Sequence, residues 1–279
     1  MLNVLKRIAR PLYRRITTAL YAYRSPRNPS FHLSPHSIEP IPMKAAADTC
    51  GRPTEDLYQI WQTIPRGHKW WHYFRTYERV IGPLRTQPIR LLEVGVYKGG
   101  SLAMWRKYLH SESVIVGLDI DRACTAFDQP KERVHVRIGD QSDVEFLRAV
   151  VKEFGPFDVV IDDGSHVCSH MIKTFDYLFL NGLTDTGVYI AEDTHSNFWT
   201  GWRDQRYSFI DLCKDLVDLS HAHYFCNRGI SAFTLGMPSR LEEIAVTRIG
   251  AQIDEIRFLD SIVVIQRRVD RPLPTTEHL

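Results

Sequence analysis

Five short apolar runs follow Pro88, and glycine or a polar residue comes directly after each run. They are Ile89–Val94, Val114–Leu118, Val134–Ile138, Phe157–Ile161 and Gly187–Ala191. Between them, three stretches repeat apolar residues at helical spacing: Gly100–Leu109, Asp143–Phe154 and His166–Leu180. Buried strands that alternate with crossover helices are typical of a doubly wound sheet. The pattern therefore predicts an α/β fold with a mostly parallel sheet.

The segments on either side of this pattern predict additions to the sheet. A further helix is expected at Tyr207–Leu219, and Ile256–Phe258 and Ser261–Gln266 are close enough to pair as a hairpin. We expect this hairpin to be antiparallel and to lie at the C-terminal edge of the sheet. Before the sheet, Thr54–Ile81 alternates aromatic and charged residues, which indicates one or two helices.

The N-terminal segment differs in charge from the rest of the chain. Residues 1–38 contain seven Lys or Arg and no acidic residue. Residues 1–24 also repeat Leu and Ile at helical spacing, and residues 25–48 form a Pro/Ser-rich linker. We predict that residues 1–48 form a basic amphipathic segment followed by this linker, and that residues 49–272 form the main domain. Residues 1–24 could lie on an anionic membrane surface, or could pack on the domain itself or on a second subunit.

Composition narrows the choice of partners and compartment. The net charge of +2 is too small to indicate a nucleic-acid partner. No run of 18 apolar residues indicates a spanning helix. The five cysteines are odd in number and scattered, which indicates reduced thiols. We therefore expect a cytoplasmic protein, with peripheral contact at the inner membrane surface as an option for the basic segment.

The loop after the first predicted strand is rich in glycine. Gly95 and Gly99 allow a tight turn and a close approach of the backbone to a ligand. Their spacing does not match the dinucleotide fingerprint G-x-G-x-x-G. Glu93, just before the first glycine, would repel a pyrophosphate but suits the cationic end of S-adenosylmethionine (SAM).

Two further strand ends carry polar side chains. Asp119 can accept hydrogen bonds from both hydroxyls of a ribose, and Asp140 and Gln141 can contact an adenine edge. Ligands of doubly wound sheets bind at the carboxyl ends of the strands. Together with Glu93, these residues predict SAM rather than NAD in a Rossmann-like domain.

Four carboxylates follow the fourth and fifth predicted strands. They are Asp162, Asp163, Glu192 and Asp193. Like charges at one sheet edge require protonation or a cation. Oxygen ligands without cysteine favour Mg²⁺ or a similar divalent ion. A zinc site through His166 and His170 is the alternative.

His166 is the candidate catalytic base. Transfer of a methyl group from a sulfonium to a hydroxyl requires loss of the hydroxyl proton, which a metal ion and a neutral histidine both promote. His166 directly follows the Asp pair and Ser165. A purely structural histidine is the competing interpretation.

Four motifs together resemble a known family. They are Leu92–Ser101, GDQSD at Gly139–Asp143, IDDGSH at Ile161–His166 and EDTH at Glu192–His195. From about Asp56 to Gln266 the chain resembles the Mg²⁺-dependent sugar O-methyltransferases of macrolide biosynthesis and the related mycobacterial polysaccharide methyltransferases.

The resemblance implies roles for individual residues. Asp163, Glu192 and Asp193 would bind the metal, and His166 would be the base. The predicted SAM contacts are Glu93, Gly95, Gly99, Ser101, Asp119, Asp140, Gln141 and Asp162. The resemblance also implies homo-oligomers and an aromatic segment that closes over the site, for which Trp70, Trp71 and Tyr73 are candidates. The segment before Glu39 has no counterpart, and Asn197–Thr247 matches only loosely.

These observations predict a SAM-dependent, metal-assisted O-methyltransferase. The acceptor would be a sugar hydroxyl in a glycosylated metabolite, glycolipid or polysaccharide. One alternative is an enzyme like the cephalosporin hydroxylase components, which resemble the same family. Another is a non-catalytic SAM-binding subunit, although such a domain does not need the four strand-end carboxylates.

Overall fold

The computed structural model describes residues 51–226 and 229–277. The predicted basic segment and linker, 1–48, and the proposed membrane contact at 1–24 lie outside the described residues. The described chain from Arg52 onward is one compact unit. None of its helices is long and apolar enough to cross a membrane.

A seven-stranded sheet in the order β3-β2-β1-β4-β5-β7-β6 forms the centre of this unit. The strands are β1 Arg90–Val94, β2 Val114–Asp119, β3 Val134–Ile138, β4 Phe157–Asp162, β5 Leu183–Ala191, β6 Ile253–Leu259 and β7 Ile262–Arg267. The first five are parallel, whereas β7 pairs antiparallel with both β5 and β6. The predicted mostly parallel α/β sheet with an antiparallel edge hairpin is confirmed.

Helices cover both faces of the sheet. They are α1 Asp56–Trp61, α2 Trp71–Val80, α3 Gly100–Tyr108, α4 Val144–Phe154, α5 Cys168–Asn181, α6 Phe209–Ser220 and α7 Arg248–Gln252. Residues of α1, α2 and α3 share one buried apolar cluster with the sheet, and residues of α4, α5 and α6 share the other. This two-sided burial explains why the central strands β1, β2 and β4 are mostly apolar.

The aromatic segment before the sheet folds as two short helices with a loop between them. Tyr73, Phe74 and Tyr77 of α2 are fully buried against the first face of the sheet. Their edge-to-face contacts continue to Trp105 of α3. This packing fixes the residues just before α2 beside the carboxyl ends of β1, β4 and β5.

The parallel strands end nearly level with one another. Val94 of β1 pairs with Leu118 of β2 and with Asp162 of β4, and Asp162 pairs with Ala191 of β5. The residues that follow these strands therefore meet at one edge. Asp143, at the end of the GDQSD motif, instead caps α4 by accepting hydrogen bonds from two N–H groups.

Candidate active site

A cavity of about 320 Å³ lies at the carboxyl ends of β1, β2 and β3. Four of the predicted cofactor residues line it: Gly95, Asp119, Asp140 and Gln141. Tyr97, Cys124, Gly164 and Ser165 complete much of its wall.

The Asp119 carboxylate is held by three backbone N–H groups. One oxygen accepts from Val96 and Tyr97 at 2.9 Å each, and the other accepts from Asp121 at 2.8 Å. Burial alone would raise the pKa of Asp119, but the N–H groups of Asp121, Tyr97 and Val96 outweigh it and the pKa is lowered. Asp119 is therefore an ionised acceptor that also fixes the glycine loop.

Gly95 occupies a position that no other residue fits without strain. Its φ is +95°, and a Cβ there would lie 2.1 Å from the carbonyl oxygen of Asp163. The loop after β1 therefore touches the turn after β4.

Gln141 connects the third strand end to the fourth. Its side-chain oxygen Oε1 accepts from the Ser165 N–H at 2.7 Å. Its side-chain nitrogen Nε2 donates to Asp162 at 3.1 Å and to Thr174 at 3.0 Å. The other oxygen of Asp162 accepts from Tyr189 at 2.8 Å. Asp162 is buried, and this burial raises its pKa. Asp162 does not line the cavity but orients Gln141, which does.

Three other predicted cofactor residues also lie outside the cavity wall. Glu93 is fully buried. Its side chain faces Lys69 on the side of the sheet that α1, α2 and α3 cover. Ser101, also buried, interacts with the Glu93 carboxylate, and Gly99 faces the Phe127 ring. Contacts of these residues with SAM stay predictions, and this arrangement offers no direct route for them.

A second cavity of about 310 Å³ adjoins the first. The two share Tyr97, Asp163 and Gly164 in their walls. The residues that line the second cavity are His68, Lys69, Trp70, Tyr73, Tyr97, Asp163, Gly164, His166, Glu192 and Asp193. It therefore collects the predicted base and all three predicted metal ligands.

Asp163, Asp193 and His166 direct one ligand atom each towards a common point. These atoms lie within 4.8 Å of one another. His166 Nε2 is 3.7 Å from Asp163 Oδ1 and 3.8 Å from Asp193 Oδ2. His166 and Asp193 both have positive φ, 57° and 50°. Backbone strain of this kind is common at functional sites, where the surrounding structure holds it.

The second oxygen of each aspartate is anchored by the segment around the start of α2. Asp193 Oδ1 accepts from Trp70 Nε1 at 3.0 Å and from the Tyr73 hydroxyl at 2.7 Å. Asp163 Oδ2 accepts from Lys69 Nζ at 2.5 Å. The two free oxygens thus face His166. Of the three aromatic candidates for a closing segment, Trp70 and Tyr73 reach the site, whereas Trp71 packs against the first apolar cluster.

Glu192 differs from the two aspartates because both of its oxygens already have donors. Oε2 accepts from Lys69 Nζ at 2.7 Å, and Oε1 accepts a short hydrogen bond from the Tyr77 hydroxyl. Glu192 is only 1% exposed. It lies outside the converging group of ligand atoms, so its role as a metal ligand stays a prediction that would require Lys69 to move.

Lys69 is the buried cation that balances this cluster. Its ammonium contacts Asp163 and Glu192 and lies 3.5 Å from Glu93. Burial alone would lower the pKa of Lys69, but Asp163 and Glu192 raise it well above its ordinary value. Burial raises the pKa of Glu192, and it raises that of Glu93 to about 7. Sequence reasoning missed Lys69; its place beside Trp70 in the aromatic segment was the available signal.

The donor set fits a hard divalent cation. The partly exposed carboxylates of Asp163 and Asp193 face a space in which solvent can complete the coordination, and His166 Nε2 lies beside them. The zinc alternative is not favoured by the geometry, because His170 lines the first cavity and its Nδ1 lies 3.0 Å from Ser165 Oγ.

The fold is a Rossmann-like α/β domain, with two adjoining cavities at the carboxyl ends of its parallel strands. Comparison with known protein families gives no match. Individual curated proteins, however, relate the chain to the sugar O-methyltransferases of tetracenomycin and macrolide pathways.

One such relative is the 8-demethyl-8-alpha-L-rhamnosyl tetracenomycin-C 2'-O-methyltransferase of Streptomyces olivaceus. It is 31% identical over 246 residues, which are 81% of this chain and 63% of that protein. The L-olivosyl-oleandolide 3-O-methyltransferase of Streptomyces antibioticus is 38% identical over 165 residues, 54% of this chain and 42% of that protein. The chain thus spans less than two thirds of the length of these relatives.

A solved structure agrees with the sequence relatives. The MycE methyltransferase from the mycinamycin biosynthetic pathway, in complex with Mg, S-adenosylhomocysteine (SAH) and mycinamycin VI, has a TM-score of 0.61 to this chain. The two are 28% identical, and the match covers 78% of this chain and 55% of that one.

Proposed function

We propose that this protein is a SAM-dependent, divalent-metal-assisted O-methyltransferase that acts on a sugar hydroxyl. The observation that carries the proposal is the pair of adjoining cavities. One is lined by strand-end residues suited to a nucleoside, and the other holds two carboxylates and a histidine. A donor in the first cavity and an acceptor in the second would meet at the shared wall of Tyr97, Asp163 and Gly164.

Within the first cavity, Asp119 would accept hydrogen bonds from the ribose hydroxyls. Its lowered pKa keeps it ionised at neutral pH. Asp140 and Gln141 would bind the adenine edge, and Gly95 allows the chain to approach the ligand closely.

In the second cavity, Asp163 and Asp193 would hold Mg²⁺, with Glu192 behind them. The ion, when bound, would polarise the acceptor hydroxyl and lower its pKa. His166 would accept the hydroxyl proton as the oxygen forms its bond to the methyl carbon and the carbon–sulfur bond breaks. Trp70 and Tyr73 orient Asp193 by hydrogen bonds. His166 Nδ1 is buried without a hydrogen-bond partner among the described residues, which leaves Nε2 to face the acceptor.

The sugar class is supported by what the relatives methylate. Their names describe transfer to rhamnosyl and olivosyl groups, which are deoxyhexoses carried on a larger molecule. A glycosylated small molecule or a glycan is therefore the proposed acceptor.

Two features of assembly are proposed from the sequence. The resemblance to the family supports a homo-oligomer, which sedimentation of the full-length chain would test. The seven basic residues in 1–38 support contact of residues 1–24 with an anionic membrane. Failure of the full-length protein to bind anionic vesicles at low salt would contradict this membrane contact.

Calorimetric titration with SAH is the first test of the function. We expect binding in Mg²⁺, and methyl transfer from SAM to rhamnosides that is lost in EDTA and restored by Mg²⁺. Absence of SAH binding would refute the cofactor assignment. Full activity in EDTA would refute metal assistance.

A further inference from the structure

A row of aromatic side chains leads from the second cavity along its rim. It consists of Trp70, His195, Trp199 and Trp202, here called the rim row. Ring centroids are 5.7 Å apart for Trp70 and His195, 4.5 Å for His195 and Trp199, and 5.5 Å for Trp199 and Trp202. Trp70 lines the cavity, so the row begins inside the site and continues outside it.

The loop that carries Trp199 and Trp202 is tied to the catalytic side of α5. The Cys168 N–H donates to the carbonyl of Trp202 at 3.1 Å, and the Ser169 N–H donates to Asp204 at 3.1 Å. The Ser196 hydroxyl donates to the carbonyl of His166 at 3.1 Å. These bonds hold the backbone of the loop that carries the two indoles beside the proposed base.

The indoles of the rim row are exposed although they are large and apolar. Trp199 is 50% exposed, Trp202 39% and Trp70 45%. Within the described part of the chain, the indole N–H groups of Trp199 and Trp202 donate no hydrogen bond. Each therefore offers an apolar face and an available donor, the combination found in binding sites.

The orientation of the rings selects the class of ligand. Successive rings in the row are inclined by 82°, 65° and 60°. A flat fused-ring molecule could stack on only one of them. The units of a saccharide chain are rotated relative to one another, and each presents C–H groups that pack on an aromatic ring beside hydroxyls that accept or donate hydrogen bonds.

We propose that the rim row binds the sugar unit next to the one that is methylated, so that the acceptor is an oligosaccharide chain. This inference rests on the proposed function, because it assumes that the reacting sugar lies in the second cavity. Trp199 and Trp202 are then specificity-determining residues that recognise the length of the acceptor.

The test compares acceptors of different length with the full-length chain, SAM and Mg²⁺. Methyl α-L-rhamnoside, a rhamnose disaccharide and a rhamnose trisaccharide are assayed, and kcat/KM of each oligosaccharide is divided by that of the monosaccharide. Trp199→Ala and Trp202→Ala should each lower this ratio by roughly five- to tenfold, as expected for loss of one aromatic contact.

Two variants control for other effects. Trp199→Phe should keep most of the wild-type ratio because it retains an aromatic face. Phe258→Ala removes a comparably exposed aromatic side chain from β6 and should leave the ratio at its wild-type value. An unchanged ratio in both Trp→Ala variants would overturn the proposal.

A binding measurement separates this inference from the proposed function. The trisaccharide is titrated calorimetrically into the SAH-loaded protein, and we expect its affinity to fall in Trp199→Ala. Trisaccharide binding that depends on Trp199, without methylation of any glycoside, would support the subsite and count against the function. Absence of trisaccharide binding would overturn the subsite. The subsite would also be overturned if Trp199→Ala changed the oligomeric state of the protein without changing sugar binding. That result would assign the rim row to a contact between copies of the chain.

Discussion

Replacement of Lys69 by Met tests the charge balance of the site most directly. The ammonium lies 2.5 Å from Asp163, 2.7 Å from Glu192 and 3.5 Å from Glu93, and its side chain is 3% exposed. Methionine keeps the length and the apolar stem but leaves these carboxylates without a cation. Removal of one partner from a buried ion pair typically costs about 3–5 kcal/mol of stability. We expect a loss of this size in the free energy of unfolding at pH 8.

The stability lost in the Met variant should be larger at high pH than at low pH. Burial raises the pKa of both Glu93 and Glu192, and loss of the ammonium raises both further. Their folded-state pKa values then exceed the unfolded values, so the folded variant keeps protons that the unfolded chain releases. Stability from such groups is complete below the unfolded pKa and is lost as pH rises. The Met variant should therefore be closer to the wild type at pH 5.5 than at pH 8.

Urea unfolding followed by tryptophan fluorescence, without added metal, measures both values. Lys69→Arg is the matched control, because it retains the charge and should lose less stability at pH 8. Equal losses in the Met variant at pH 5.5 and pH 8, or no loss at pH 8, would refute the reasoning that Lys69 neutralises buried carboxylates.

Three further predictions address the base, the glycine loop and the buried glutamate. His166→Ala should lower kcat by at least about 100-fold, whereas the affinity for SAH should stay within about twofold of the wild type. The base acts in the chemical step and not in cofactor binding. Near-normal turnover of this variant would remove His166 from the mechanism. Gly95→Ala should abolish SAH binding by calorimetry, since its Cβ would lie 2.1 Å from the Asp163 carbonyl at φ +95°, and retained affinity would show that the loop adapts. Glu93 has a pKa of about 7 in the folded chain, above its ordinary value of 4.5, so the wild type should lose about 3 kcal/mol relative to Glu93→Gln between pH 4.5 and pH 8. A constant difference between the two unfolding free energies across that range would contradict the burial of an ionisable Glu93.

The centre of the sheet was predictable because β1, β2 and β4 are buried on both faces and so appear as mostly apolar runs. Strand-end residues were predictable for a related reason, since parallel strands place their carboxyl ends together. The short helix α7 was not predicted, and β5 begins at Leu183 rather than Gly187. Leu183 pairs with Phe157 of β4, and the register then shifts before Val188 pairs with Val159.

The side-chain partners within the site were less predictable. Sequence spacing brought Glu192 and Asp193 to the same strand end, but it could not show that their side chains face different donors. That difference arises from α2, whose Tyr73 and Tyr77 hydroxyls reach Asp193 and Glu192 from more than 100 positions away in the chain. Long-range contacts of this kind leave no periodic signal. Glu93 and Asp162 illustrate the same limit, because an acidic residue at a strand end can serve the ligand or the packing beneath it.

The two cavities share one turn of the chain in their walls, and this shared turn has a consequence for ligand affinity. Asp163 lines both cavities and directs Oδ1 towards His166, whereas Ser165, two residues later, lines only the first cavity and is held by Gln141. Gly95, just after β1, lies so close to the carbonyl of Asp163 that there is no room for a Cβ. A nucleoside that shifts this turn by a fraction of an ångström would also move the carboxylate that receives the cation. Occupancy of either compartment should therefore alter affinity in the other, and the change must be equal in both directions.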